Sequence, residues 1–115
     1  LHPELFFNIS HSGDWIACAL GDAPVGLDIQ YHREIKVEQT ARKICNPEEW
    51  KLFQQADTER GKKDVLFQIW TKKESYLKFT GEGIRRELCE ISYEECSFYQ
   101  LTMPDEYSGM ICVGK

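Results

Sequence analysis

Phe67-Gln68-Ile69-Trp70-Thr71-Lys72-Lys73-Glu74-Ser75-Tyr76-Leu77-Lys78-Phe79-Thr80-Gly81-Glu82-Gly83 is the stretch on which the reading of this chain turns. Leu66, Phe67, Ile69, Trp70, Tyr76, Leu77 and Phe79 place apolar groups on more than one side of a helical projection. That pattern predicts a largely buried helix from about Asp64 to Thr80. Gly81 and Gly83 are suited to end it. Lys73, Glu74 and Lys78 sit in its middle, and a buried charge needs a partner because its desolvation is expensive. Glu74 and Lys78 are four residues apart and share a face. Two readings follow: a surface ion pair worth roughly 0.3–0.5 kcal/mol, or Glu74 facing a metal with Lys78 facing a phosphate. A second acidic position elsewhere in the chain decides between them.

Outward from this helix, the chain has 115 residues, the size of one domain. Hydrophobic residues make up 42% and charged residues 29%, which fits a soluble globular protein. The net charge of −5 argues against nucleic acid as the main ligand, because a phosphate backbone wants a basic face. It leaves room for a local basic pocket built from Lys72, Lys73, Lys78, Arg85 and Arg86. The cysteines, Cys18, Cys45, Cys89, Cys96 and Cys112, are odd in number and none has CxxC spacing. A disulfide framework or structural zinc site is therefore not expected, and a reducing, cytoplasmic compartment is. No apolar run is long enough to span a bilayer, and no signal peptide is visible. The chain begins at Leu1 rather than Met, which suggests a trimmed or processed product.

Before the helix, Leu5–Ile9 reads as a strand entering a polar turn at Ser10-His11-Ser12-Gly13. Trp15–Leu20 is a second strand-length run. Val25, Leu27 and Ile29 alternate in a third, Val25–Gln30. The Gly21-Asp22-Ala23-Pro24 spacer suggests that the second and third strands form a hairpin. Val37–Ile44 reads as a short helix. Asn46-Pro47-Glu48-Glu49 reads as a helix start, with Asn as N-cap, Pro at the first position and acids in the first turn. Asp57–Lys63 is charged, contains one glycine and reads as a loop or a frayed helix end. After the main helix, Ile91–Leu101 and Tyr107–Val113 read as two late strands. The order implies an α+β fold, a largely antiparallel sheet with helices packed on one face.

Two acidic positions stand out. Asp28 is the only charge in an apolar strand, and Glu74 lies mid-helix. A hard cation such as Mg²⁺ takes one or two carboxylates and fills its shell with water and phosphate oxygens. Asp28 alone is also accounted for as a turn or strand-end aspartate. Asn8-Ile9-Ser10-His11-Ser12-Gly13 brings hydroxyls, an imidazole and backbone N–H groups suited to a phosphate, or a hydrogen-bonded turn histidine.

The three stretches Phe7-Asn8-Ile9-Ser10-His11-Ser12, Val25-Gly26-Leu27-Asp28-Ile29 and Trp70-Thr71-Lys72-Lys73-Glu74-Ser75-Tyr76-Leu77-Lys78, in that order, resemble the 4′-phosphopantetheinyl transferases of the Sfp-like subfamily. The resemblance runs from about Leu5 to Val113. It implies a half-domain of that fold, residues 1–115 corresponding to one half of a two-half enzyme. It also implies Mg²⁺-dependent transfer of phosphopantetheine from coenzyme A to a serine of an acyl or peptidyl carrier protein. By the same resemblance Asp28 is the first metal ligand, and Glu74 the second and a candidate base. Lys78 is the lysine on the phosphates, Ser10 and His11 contact the nucleotide 3′-phosphate, and Lys73 is a further cofactor-side lysine. Where many relatives carry a third acidic ligand two residues after the aspartate, this chain has Gln30, which brings an amide oxygen but no charge. The chain resembles only the second half of the two-half enzymes. It is thus expected to self-associate as a dimer or trimer, or to lack an N-terminal half. The alternative function is a non-catalytic module that holds coenzyme A or a carrier protein.

Overall fold

The computed structural model describes residues 5–81, 87–93 and 95–115. The chain runs through β1 (Phe6–Ser12), β2 (Trp15–Gly21), β3 (Val25–Tyr31), α1 (Val37–Ile44), α2 (Pro47–Gln55) and α3 (Glu59–Thr80). A 3-10 turn at Leu88–Glu90, β4 (Cys96–Gln100) and β5 (Tyr107–Gly114) complete it. β1 and β2 form one antiparallel pair, and β3, β5 and β4 form a second antiparallel sheet in that order. This is the α+β arrangement expected, with α3 laid across β3 and β5 and the shorter helices leaning on α3. No helix among the described residues is long and apolar enough to cross a membrane.

Several boundaries differ from the sequence reading, each for a local reason. The hairpin joins β1 to β2, not β2 to β3. A two-residue turn at Gly13-Asp14, with Gly13 at φ +56°, closes it. β1 therefore continues through Ser10 and His11, which lie in a strand rather than a turn. β3 takes β5 as its ladder partner, with Asp28 opposite Met110. The helix α3 begins at Glu59, five residues before Asp64, because Thr58 Oγ1 accepts the Gly61 N–H at 2.9 Å and caps it. The charged run after Thr58, expected as a loop or a frayed end, is thus the capped first turns of α3. At the other end Gly81 adopts φ +76° and returns its N–H to Leu77 O. Gly83, Arg85 and Arg86 lie outside the described residues. β4 starts at Cys96, and Ile91, expected at the start of that strand, is instead buried in the core beside the 3-10 turn.

The core has two parts. Ala41, Ile44, Phe53, Leu66 and Ile69 close the three helices on one another. Tyr76, Leu77, Ile91, Cys96 and Cys112 seal the second half of α3 to the sheet. Gly26 sets how closely helix and strand approach. A Cβ there would lie 1.9 Å from Ser75 O and 2.6 Å from Phe79 N, both backbone atoms that cannot step aside. Gly26→Ala must push α3 off β3. We expect a loss of about 3 kcal/mol, read as a lowered midpoint in thermal or urea unfolding. A variant that unfolds with the parent would contradict this contact.

Candidate active site

The close approach at Gly26 brings the Glu74–Lys78 turn of α3 over Asp28, two residues along β3. Asp28 is 4% exposed. Its Oδ2 accepts from Gln30 Nε2 at 3.0 Å, and its Oδ1 lies 3.4 Å from Lys78 Nζ. Lys78 Nζ also donates to Leu27 O at 2.9 Å. Lys78 therefore pairs with Asp28, and the simple i,i+4 pair with Glu74 is not what holds it. Burial is the largest influence on the Asp28 carboxyl and raises its pKa from 3.8 to about 6. The Gln30 hydrogen bond and the Lys78 charge pull it down, while the Glu74 charge pushes it up. Asp28 and half-buried Glu74 thus stand near enough to feel each other across the β3–α3 seam.

Gln30 turns its amide nitrogen to Asp28, and its Oε1 accepts from Arg33 Nη1 at 3.4 Å. As placed, it presents a donor rather than a ligand oxygen to the seam. No cluster of three or more His, Cys, Asp or Glu suited to a metal exists among the described residues.

Lys73 is elsewhere. Its side chain is fully buried and its Nζ lies 2.7 Å from Glu49 Oε1 and 2.8 Å from Leu88 O. Glu49 also caps α2 through Asn46 and accepts from Tyr93 OH at 2.9 Å, so every member of this buried pair has a partner. Burial and the Glu49 carboxylate push the Tyr93 hydroxyl pKa well up. Lys72 lies over the rings of Tyr93 and Phe98, at 4.7 and 4.9 Å. The expected basic pocket is therefore not assembled from Lys72, Lys73 and Lys78: the Lys72 and Lys73 ammonium groups both lie over the Tyr93 ring, at 4.7 and 5.6 Å, while Lys78 reaches Asp28 on β3.

Ser10 and His11 do not share a face, since successive strand residues point to opposite sides. Ser10 is buried and its Oγ accepts the Ile29 N–H at 3.0 Å. His11 is exposed, on the side that carries Phe7 and Ile9. Sequence reasoning missed that Asn8 and Ser12 act like Ser10 toward β3, although the alternation Asn8-x-Ser10-x-Ser12 was visible. It also missed His32, stacked on Phe67 at 4.5 Å, with Nε2 2.6 Å from Ser108 Oγ and Nδ1 3.4 Å from Asp64 Oδ1. This chain of contacts ties the end of β3 to β5 and α3, and burial lowers the His32 pKa.

The family model ACPS, the 4′-phosphopantetheinyl transferase superfamily, matches residues 24–108. The chain belongs to that superfamily. It is 33% identical to a 4′-phosphopantetheinyl transferase of Bacillus subtilis over 96% of this chain and 55% of that protein. It is 32% identical to 4′-phosphopantetheinyl transferase Sfp of Bacillus subtilis strain 168 over 92% of this chain and 47% of that protein. With 4′-phosphopantetheinyl transferase psf-1 of Bacillus pumilus it shares 38% identity over 71% of this chain and 34% of the relative. The chain thus spans about half or less of the length of these relatives. Among solved structures, Thermotoga maritima holo-[acyl-carrier-protein] synthase matches with a TM-score of 0.64 at 14% identity, over 81% of this chain and 63% of that one. That likeness supports the fold.

Proposed function

We propose that this chain carries the metal- and phosphate-handling half of a 4′-phosphopantetheinyl transferase, moving phosphopantetheine from coenzyme A to a carrier-protein serine. The observation that carries the reading is the meeting of Asp28, Glu74 and Lys78 at one seam from positions far apart in the sequence. A buried carboxyl destabilised by its surroundings and by a neighbouring carboxylate is the donor chemistry that a hard divalent cation relieves. Asp28 and Glu74 would hold Mg²⁺, with phosphate oxygens completing its shell. Gln30, whose amide nitrogen is bonded to Asp28, would need to turn its amide oxygen inward to serve as a third ligand.

Held by Asp28 and Glu74, Mg²⁺ would supply positive charge to the pyrophosphate of coenzyme A. Lys78 adds a cation on the same side, where negative charge grows as the phosphorus–oxygen bond breaks. Glu74 takes the proton from the carrier serine as its oxygen attacks phosphorus. The serine–phosphorus bond forms, and adenosine 3′,5′-bisphosphate leaves with the oxygen of the broken bond. His11 is assigned to the nucleotide end of the donor, away from the reacting phosphorus. Lys73 is assigned to holding α2 and the 3-10 turn against α3, since its ammonium is enclosed by Glu49 and Leu88 O.

The relatives' greater length, together with Phe7, Ile9, Ile16 and Leu20 exposed on the β1–β2 hairpin, supports a partner that completes the coenzyme A site. That partner would be a second or third copy, or another half of the protein. Five free thiols fit a reducing cytoplasm as its compartment.

The direct test incubates the chain with coenzyme A, Mg²⁺ and an apo carrier protein, with mass spectrometry of the carrier and light scattering of the chain. The carrier should gain one phosphopantetheine. Coenzyme A binding with no transfer to any carrier would favour the non-catalytic module instead. In the same assay, His11→Ala should raise the half-saturating coenzyme A concentration by about 10-fold, the loss expected for a charge-assisted phosphate contact. Saturated turnover should change less. An unchanged coenzyme A requirement would remove His11 from the donor site.

A further inference from the structure

Among the described residues, strand β3 has a ladder partner, β5, on one edge only. Alternate N–H groups of a strand point to opposite edges, so those of Leu27, Ile29 and Tyr31 face away from β5. β1 lies along that edge but makes no backbone ladder with it. Side chains take the place of the ladder. Leu27 N–H donates to Asn8 Oδ1 at 3.1 Å, Ile29 N–H to Ser10 Oγ at 3.0 Å, and Tyr31 N–H to Ser12 Oγ at 2.9 Å. The offset between donor and acceptor is 19 residues in all three, as a parallel alignment with matched two-residue steps requires.

The middle rung touches the candidate site. The N–H of Ile29 belongs to the same peptide plane as the carbonyl of Asp28. The other peptide attached to the Asp28 Cα carries Leu27 O, which accepts from Lys78 Nζ at 2.9 Å. Both peptide planes flanking Asp28 are therefore held by side chains from other elements. Ser10 and Ile29 are 5% and 1% exposed, so no bulk water stands ready to replace the serine. We propose that Ser10 is a positioning residue for Asp28. Its hydroxyl oxygen fixes the Asp28–Ile29 peptide and thereby the direction in which the carboxyl is presented. The consequence for metal binding rests on the reading in which Asp28 holds a divalent cation. The side-chain ladder stands on its own.

The test compares the unmodified chain with Ser10→Ala, Ser10→Thr and Ser12→Ala. Amide hydrogen exchange by NMR reads the ladder, and calorimetric titration with Mg²⁺ reads the site. In Ser10→Ala the Ile29 amide should exchange about 10-fold faster, because a buried donor loses its acceptor. Mg²⁺ affinity should fall by about 10-fold, the usual effect of removing support behind a ligand. Ser10→Thr, which keeps the hydroxyl, should restore both. Ser12→Ala should speed Tyr31 exchange and leave Mg²⁺ affinity unchanged. If Ser10→Ala does not fold, Ser10→Cys, of similar size but a weak acceptor, should show the same two changes. Unchanged Ile29 exchange in Ser10→Ala would overturn the ladder. Faster exchange with unaltered Mg²⁺ affinity, or an equal loss of affinity in Ser12→Ala, would overturn the positioning role. A rise in coenzyme A requirement alone would make Ser10 a substrate contact instead. Failure of the unmodified chain to bind Mg²⁺ would contradict the transferase reading and the Asp28 consequence together, while the exchange measurement would still decide the ladder.

Discussion

Asp28→Asn should lose phosphopantetheine transfer by about 10³-fold, the scale of removing a principal charge-stabilising group, and yet melt higher than the parent in metal-free buffer at neutral pH. The second half of this expectation comes from the Asp28 carboxyl, whose pKa rises from 3.8 to about 6 on folding. The folded chain holds this proton more tightly than the unfolded one. The stability it contributes is complete below about pH 4 and is lost as pH rises through about 6, a total of ~3 kcal/mol from the size of the shift. At pH 7 the fold therefore carries an ionised carboxylate in a place that disfavours it, as sites evolved for binding often do. Asparagine keeps the shape and removes the charge. Thermal melts of both chains in a chelator between pH 4 and 7 should show the parent losing stability with rising pH and the variant losing less. A variant that melts lower than the parent at pH 7, or keeps the full slope, would contradict the burial argument.

Glu74→Gln should be as severe for transfer and nearly silent for the fold. Glu74 is half-buried on α3, and the amide is of equal size. Its removal takes one ligand from the proposed cation and the group assigned to accept the serine proton. Loss of a positioned base alone lowers rates by about 10²–10⁴-fold. The melting temperature without metal should stay close to that of the parent, and Mg²⁺ should no longer raise it. Transfer at the parental rate would remove Glu74 from the chemistry and leave it a helix-surface acid.

The fold was legible where local chemistry is decisive. Asn46-Pro47 announced α2 because the cap and the proline act within one turn, and the capping box with Glu49 is formed. The α+β class followed from element order. Strand pairing was not legible, because the choice between β2 and β5 as partner of β3 is made by packing at long range, and a Gly-Asp-Ala-Pro spacer looks like any turn. The helix start was missed because Thr58 caps through its own side chain, while the charged residues after it resemble a loop in composition. For the site, Asp28, Glu74 and Lys78 stood out as charges in apolar surroundings, and the structure brings them together. Lys73 stood out for the same reason, but its partner Glu49 lies on another helix that spacing along α3 does not reveal. The hydrogen bond that Ser10 Oγ accepts from the Ile29 N–H was hidden in the same way, because its partner lies 19 residues away on another strand.

The most direct test of the account counts bound divalent ions. Mn²⁺ standing in for Mg²⁺ should bind at one site per chain in the presence of coenzyme A, measured by electron paramagnetic resonance of the free ion. Either Asp28→Asn or Glu74→Gln should abolish that site while circular dichroism remains that of the parent. Undiminished Mn²⁺ binding in both folded variants would show that these two carboxylates do not share a cation, and the proposed chemistry would have to be abandoned.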